Sequence, residues 1–325
     1  MAKLSPYQKP QQSAVELCNK LLNQGLLIND LKVAENILNR CSYYRFKAYL
    51  YPFQDNKTKV FTPGTSFEDC YQLYIFDSEL RHYIFKIIEQ VEIGVRSLFD
   101  QWMTKQKDNP FWYLDSSLFS EKGEQVKTVS RLRDMFKNSK EDYAVHYKSK
   151  HYNEYCSFFR DLPPGWVAIE LMTFGDLTKL MSSLADEHYN SLKINRFAKS
   201  KLTVEKYKSL CSWLITIQQV RNRCAHHNRL FNSNFASPTG VKRILSKEIP
   251  LVKTKAPQGK HEEDQLNRLY TAIIAIQKLN SGIGYSKKMG PKLAQIIESH
   301  PISSRFMASM GFPKEWKKEP LLFDL

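Results

Sequence analysis

The chain has 325 residues, 42% of them hydrophobic and 25% charged, which gives enough apolar material for one large domain or two modest ones and excludes a wholly disordered polar chain. Only 12 Gly and 14 Pro are present, which argues against a loop-rich β protein and for long helices. Lys plus Arg outnumber Asp plus Glu by 48 to 33, a net charge of +15; such a surface attracts polyanions, meaning nucleic acid or an anionic membrane face, although charge alone also fits a merely solvated surface.

Residues 13 to 40 read as two short helices, punctuated by Gly25 and the Asn29-Asp30 pair. An aromatic-basic segment follows, from Cys41 through Tyr43, Tyr44, Arg45, Phe46 and Lys47 to Tyr49, and Pro52 ends it. Residues 54 to 66 read as a loop. Ser66 is a good N-cap with Asp69 three residues on. From 67 to 103 the apolar positions Leu73, Phe76, Leu80, Tyr83, Ile84, Ile87, Ile88, Val91, Val95, Leu98 and Trp102 recur at helical spacing, which predicts one long helix. Arg81, Glu89, Glu92 and Arg96 lie on another stripe of it, and Glu92 can pair with Arg96.

A polar break at 105 to 117 precedes a helix near 120 to 137. The polar stretch 138 to 165, rich in Tyr, Lys and His and ending in Pro163-Pro164-Gly165, reads as a long surface segment or a subdomain boundary. Helical patterning resumes at 166 to 184 with a break expected at Gly175-Asp176, and again at 203 to 225. The basic last 90 residues hold an amphipathic helix near 262 to 279 and a shorter one near 291 to 298.

Cys18, Cys41, Cys70, Cys156, Cys211 and Cys224 form no Cys-x-x-Cys pair, so neither a zinc knuckle nor a redox motif is visible. Met1 to Pro10 has no apolar run like a signal peptide, and the longest runs, such as Ile273 to Ile276, are too short to span a bilayer. These features predict a soluble, reduced, cytoplasmic protein with no membrane partner, no metal and no cofactor. The 17 Tyr and 19 Phe belong mainly to the core; any Tyr exposed beside Lys or Arg would suit unpaired nucleotides.

The chemistry concentrates after Ile217. The helix face through Val204, Tyr207, Leu210, Cys211, Leu214 and Ile217 reaches Arg221, so a guanidinium continues an apolar stripe and needs a partner, a cleft or an interface. The chain then runs Asn222-Arg223-Cys224-Ala225-His226-His227-Asn228-Arg229. Arg221 and His226 suit cleavage of RNA by its own 2′-OH. An imidazole shuttles protons near neutral pH, and a guanidinium braces the phosphate as negative charge builds. No metal is required, and DNA, lacking the nucleophile, is spared.

The spacing alone is weak. With 14 Arg and 8 His in the chain, about one such match is expected by chance. Moreover, five helical residues turn about 500°, leaving the side chains about 140° apart. The helix must therefore end or distort near Cys224, or the site must combine two chains. The bland alternative is a helix end whose Arg and His satisfy terminal carbonyls.

Here the chain resembles the Abi family of abortive-infection proteins, the AbiD/AbiF group. The resemblance is carried by Tyr43 to Phe53, Gly64 to Asp69, Phe76 to Arg81, Glu89 to Arg96, Pro164 to Glu170, Phe174 to Leu177, Val220 to Phe231 and Met310 to Pro313, in that order. It implies an all-α fold with a HEPN core and a metal-independent endoribonuclease whose site is completed in a homodimer. It also implies an RNA substrate and, as in some relatives, a small structured RNA antitoxin. On this mapping Arg221 and His226 are the catalytic pair. Asn222 is the polar neighbour of the catalytic Arg, and His227 and Arg229 support the site or contact RNA. Family members often carry Leu, Ser and Gly where Phe46, Lys47 and Ala48 stand here; a Lys there adds charge to that segment.

The layout expected is an N-terminal segment at 1–66, a HEPN-like core at 67–235 with a polar insertion near 138–165, and a basic helical region at 236–325. Glu92 either pairs structurally with Arg96 or holds Arg221, because a buried Arg needs an acceptor. Arg223 and Arg229 suit phosphates. Tyr44, Arg45 and Lys47 suit RNA stacking and phosphate contact, or alternatively packing between helices. His146 and His151 lack further ligands for a metal and read as surface. Two other functions fit the same residues: a non-catalytic RNA-binding module, and a protein-interaction component of a defence system with Arg221 at the interface.

Overall fold

The computed structural model describes Pro6, Gln8 and residues 10–120, 122–255 and 262–324. Most of the Met1 to Pro10 stretch, read above for a leader, lies outside the described residues. Two compact units emerge, one from positions 1–80 with Ile296–Arg305, the other from Arg81–Gln295 with positions 306–325. The fold is all-α; among the described residues the only paired strands are β1 (Lys253–Lys255) and β2 (Glu262–Asp264), antiparallel with Lys253 opposite Asp264.

In the first unit, α1 (Ala14–Asn23) starts with a reciprocal cap: the Glu16 amide donates to Ser13 Oγ at 3.2 Å, and the Ser13 amide donates back to Glu16 Oε2 at 2.7 Å. Asp30 caps α2 (Leu31–Arg40) by accepting from the Val33 amide at 3.0 Å. The aromatic-basic segment is α3 (Tyr43–Leu50), and helical periodicity divides it. Phe46 and Tyr49 are buried, with Phe46 4.9 Å from the Phe67 ring and the Tyr49 hydroxyl donating to Asp77 at 2.7 Å. Tyr44 and Arg45 are exposed. Lys47 is half-buried, its ammonium 5.3 Å from the Tyr51 ring. So the segment supplies core on one face and a basic surface on the other.

The long helix α4 spans Phe67–Lys107. Ser66 and Asp69 start it by the same reciprocal exchange as in α1. In the second unit its core stripe is Ile84, Ile88, Val91, Val95, Phe99 and Met103, all buried, each contributing about 1.5–3 kcal/mol through lost apolar exposure. Phe99 stands edge-on to Trp112 at 5.4 Å and also meets Phe197 and Tyr207.

The remaining helices of this unit are α5 (Lys122–Asn138), α6 (Asp142–Lys150), α7 (Gly165–Leu171), α8 (Phe174–Ser182), α9 (Ile194–Leu202), α10 (Tyr207–Ala225) and α11 (Leu269–Ile283), followed by α12 (Gly290–Glu298), which enters the first unit at Ile296. α10 packs on α8, α9 and α11. The Tyr207 hydroxyl donates to the Met181 carbonyl at 2.8 Å, and the Trp213 indole to the Thr239 carbonyl at 2.9 Å. α11 is buried on nearly every side, its polar Thr271, Gln277 and Asn280 included.

Three sequence expectations are corrected, and one helix is added. The polar stretch 138–165 is not only surface loop: it holds α6 and the start of α7. The break expected at Gly175-Asp176 lies instead at Met172-Thr173, where the Thr173 hydroxyl accepts from the Asp176 amide at 3.1 Å and caps α8. Gly175 lies inside α8, where the close approach to α10 leaves no room for a side chain: a Cβ there would lie 2.6 Å from Gln218 Nε2. The amphipathic helix expected at 262–279 begins only at Leu269 and is enclosed rather than amphipathic, with β2 before it. α9 was not anticipated.

Candidate functional site

α10 carries the Arg221 to Arg229 block and ends inside it. Its last helical residue is Ala225, and His226 is the C-cap. His227 then takes φ +55°, the left-handed region. The Asn228 amide donates to the Arg223 carbonyl at 2.8 Å, and the His227 amide to the Cys224 carbonyl at 3.0 Å. This is a Schellman stop, with His at the position where glycine is usual. His227 therefore has a structural task, turning the chain off the helix. The helix does not distort before the cap, so the offset between Arg221 and His226 expected of a regular helix stands.

Arg221 turns towards α4. Its Nε donates to Glu92 Oε2 at 3.2 Å, and its guanidinium lies 5.9 Å from the Phe85 ring. The other oxygen of Glu92 accepts from Arg96 Nη2 at 2.5 Å. Arg96 is buried, and its Nη1 donates to the carbonyls of Ile169 and Met172, the latter at 2.7 Å, at the C-terminal end of α7. A cation there also complements the negative end of the helix. Glu92 thus does both things the sequence allowed: it pairs with Arg96 and it holds Arg221. One carboxylate, itself 14% exposed, bridges two guanidiniums. Arg221 is fixed through Nε alone; Nη1 and Nη2 make no hydrogen bond among the described residues, and the side chain is 32% exposed.

His226 is exposed and lines a different feature. After the Schellman stop, Leu230 and Phe231 are buried and the chain returns along α10. The Ala236 amide donates to Gln219 Oε1 at 2.7 Å, and Thr216 Oγ1 donates to the Ala236 carbonyl at 2.9 Å, pinning the returning segment to the helix. Between the two runs an open cleft of about 610 Å³. Its charged groups are Arg223 and, when protonated, His226; the rest of its wall includes Gln219, Asn222, Asn228, Asn234 and Phe235, with no carboxylate and without Arg221. Arg223 is steadied there: its guanidinium lies 5.6 Å from the Phe235 ring and Nη1 donates to the Arg229 carbonyl at 3.3 Å. Arg229 lies 5.3 Å from the Phe231 ring.

The structure therefore joins Arg221 with Glu92, and His226 with Asn222 and Arg223, but does not bring Arg221 into the cleft of His226. Tyr44, Arg45 and Lys47 belong to the first unit. Sequence reading missed Phe85, Gln219, Asn228, Asn234 and Phe235. The Asn residues near the motif were a visible signal; the return of 230–236 along α10 was not. His146 and His151 have rings 5.7 Å apart, and among the described residues no group of three or more His, Cys, Asp or Glu is placed to hold a metal. No helix among the described residues is long and apolar enough to cross a membrane.

An all-α protein with a tethered Arg and a capping His at one helix end is the class these features define. The family model described as Abi-like protein matches residues 36–232, and the chain belongs to that family. Membership points to a role in abortive infection. No curated protein and no solved structure matches the chain.

Proposed function

We propose that this protein is a metal-independent endoribonuclease of the HEPN type, acting as the toxin of an anti-phage abortive-infection system. The observation that carries the reading is the anchoring of Arg221. Glu92 holds the guanidinium at Nε, and the two terminal amino groups are left over. Two parallel N–H donors in a fixed plane match two oxygens of a phosphate. In the reaction the RNA 2′-oxygen attacks the adjacent phosphorus, and the P–O5′ bond breaks. The products are a 2′,3′-cyclic phosphate and a 5′-hydroxyl. His226 takes the 2′-OH proton and passes it to the departing 5′-oxygen, and Arg221 offsets the charge on the phosphorane oxygens.

Because α10 stays helical to Ala225, the two groups leave the helix in different directions, and a second copy of the chain completes the site. Asn222 stands beside the pair. Arg223, Arg229, Tyr44, Arg45 and Lys47 supply cationic and aromatic contacts to RNA, and a small structured RNA is the antitoxin that occupies them. The placement of Arg221 outside the cleft of His226 favours one second reading, a module that binds RNA without cutting it.

The test is incubation of purified protein with total RNA and mapping of the ends. Cyclic-phosphate ends that disappear with His226→Ala support the nuclease. Tight, salt-sensitive binding with every RNA intact supports the second reading and ends the first.

A further inference from the structure

We propose that the cleft between the end of α10 and residues 234–236 is a base-reading pocket for one unpaired nucleotide, with adenine as its preferred base and Asn234 and Asn228 as its specificity-determining residues. The inference takes its substrate class, RNA, from the reading above.

Three features carry it. First, size: about 610 Å³ lies within the range of pockets that hold a small organic ligand, and a single nucleoside fits it. Second, polarity: the wall carries four side-chain amides and no carboxylate, so it is neutral to cationic and offers donors and acceptors side by side. Amides are the groups that read base edges, whereas a phosphate-only site needs cations. Asn228 and Asn234 are both exposed, and neither side chain has a hydrogen bond among the described residues, so their donors and acceptors face solvent. Gln219 differs: its oxygen is committed to the Ala236 amide.

Third, a stacking surface: Arg223 is anchored at two points, with its guanidinium carbon 5.6 Å from the Phe235 ring and Nη1 donating to the Arg229 carbonyl at 3.3 Å. An anchored guanidinium plane is a platform for an unpaired base. Adenine fits best because it presents a donor beside an acceptor on both of its edges, N6–H with N1 and N6–H with N7, which a side-chain amide meets with two hydrogen bonds. Guanine presents only acceptors on its N7 edge, and Arg223, which would read them, has one amino group already engaged. Seating a base here places the flanking phosphate next to His226, which lines the same cleft.

The experiment measures binding of fluorescein-labelled hexamers with 2′-fluoro sugars, which removes the nucleophile so that binding is read without cleavage. The hexamers are all-U, or all-U with one central A, C or G. The wild-type chain is expected to bind the A hexamer at least about fivefold more tightly than the C hexamer, the low end of discrimination by one bidentate contact. In the Asn228→Ala/Asn234→Ala double variant that ratio falls below about twofold. Asn234→Asp, similar in shape but lacking the donor, also loses the preference while keeping the wild-type urea unfolding midpoint, which excludes simple misfolding as the cause. No base preference in the wild type, or a preference that survives both variants, overturns the proposal. Cleavage mapping is scored separately. Intact RNA with a clear A preference removes the nuclease reading and keeps this pocket; RNA cut with no preference removes the pocket and keeps the nuclease.

Discussion

Two side chains five residues apart sit in contrasting surroundings. Arg221 is gripped by Glu92, which is itself gripped by Arg96, which is bonded to the end of α7. Its position is set by three elements of the second unit. His226 is the cap of α10, exposed, lining an open cleft walled by amides. One group is a fixed cation and the other an imidazole open to solvent. The contrast teaches that a motif spacing records neighbours along a helix and not convergence in space. On the proposed nuclease reading, convergence comes from a third body, either substrate or a second chain.

The sharpest way to break this contrast is complementation. Arg221→Ala and His226→Ala are each expected to lower RNA cleavage by at least about 100-fold. If each site takes Arg221 from one chain and His226 from another, mixing and reassembling the two inactive variants restores about a quarter of wild-type activity, because half the dimers are mixed and each keeps one intact site of two. The readout is the initial rate on a quenched fluorescent RNA. No recovery on mixing would put both groups in one chain and remove the composite site.

The tethered side should also matter to stability where the capping side does not. Glu92→Ala leaves Arg96 buried with no carboxylate and is expected to cost about 3 kcal/mol of unfolding free energy, as when one partner of a buried pair is removed. Glu92→Gln, which keeps an acceptor, costs less. His226→Ala, at an exposed position, stays within about 0.5 kcal/mol. Urea unfolding of the three variants checks the order, and equal small effects would show that the bridge does not organise the site.

These contacts explain what the sequence could and could not disclose. α4 and α10 were legible because long apolar stripes at helical spacing have one interpretation, and Ser66 with Asp69 marked the start of α4. The Glu92 link to Arg221 was reachable by asking which acceptor could satisfy a cation on an apolar face. Gly175 misled because glycine signals a turn and a close helix contact equally well, and only the position of Gln218 distinguishes them. α9 is short and basic, and the Asn195 side chain accepts from the Tyr207 amide at the start of α10, a bond between separate elements that no local pattern encodes. The cleft escaped for a related reason. Its far wall is a segment without regular structure, positioned by Gln219 and Thr216.

The smallest effect concerns a second buried carboxylate on α4. Asp100 is 3% exposed and, unlike Glu92, makes no ion pair among the described residues. Trp112 donates its indole N–H to it at 2.9 Å. Gly165 packs so tightly against it that a Cβ would lie 2.0 Å from Oδ1. Burial pushes the carboxyl up from 3.8 to about 6, against the opposing pull of the Trp112 hydrogen bond. The sign follows from proton uptake. Between pH 3.8 and about 6 the folded chain holds this proton and the unfolded chain has released it, so stability falls as pH rises through that window and stays lower above it. Asp100→Asn keeps the acceptor for Trp112 and cannot ionise. Relative to the wild type, the variant should therefore gain about 2 to 3 kcal/mol between pH 4 and pH 7, measured as the difference of urea unfolding free energies at each pH. A difference that does not change with pH would mean that Asp100 is ionised as readily in the fold as in water, and that a carboxylate on this helix needs no guanidinium. The two-Arg grip on Glu92 would then serve only to aim Arg221.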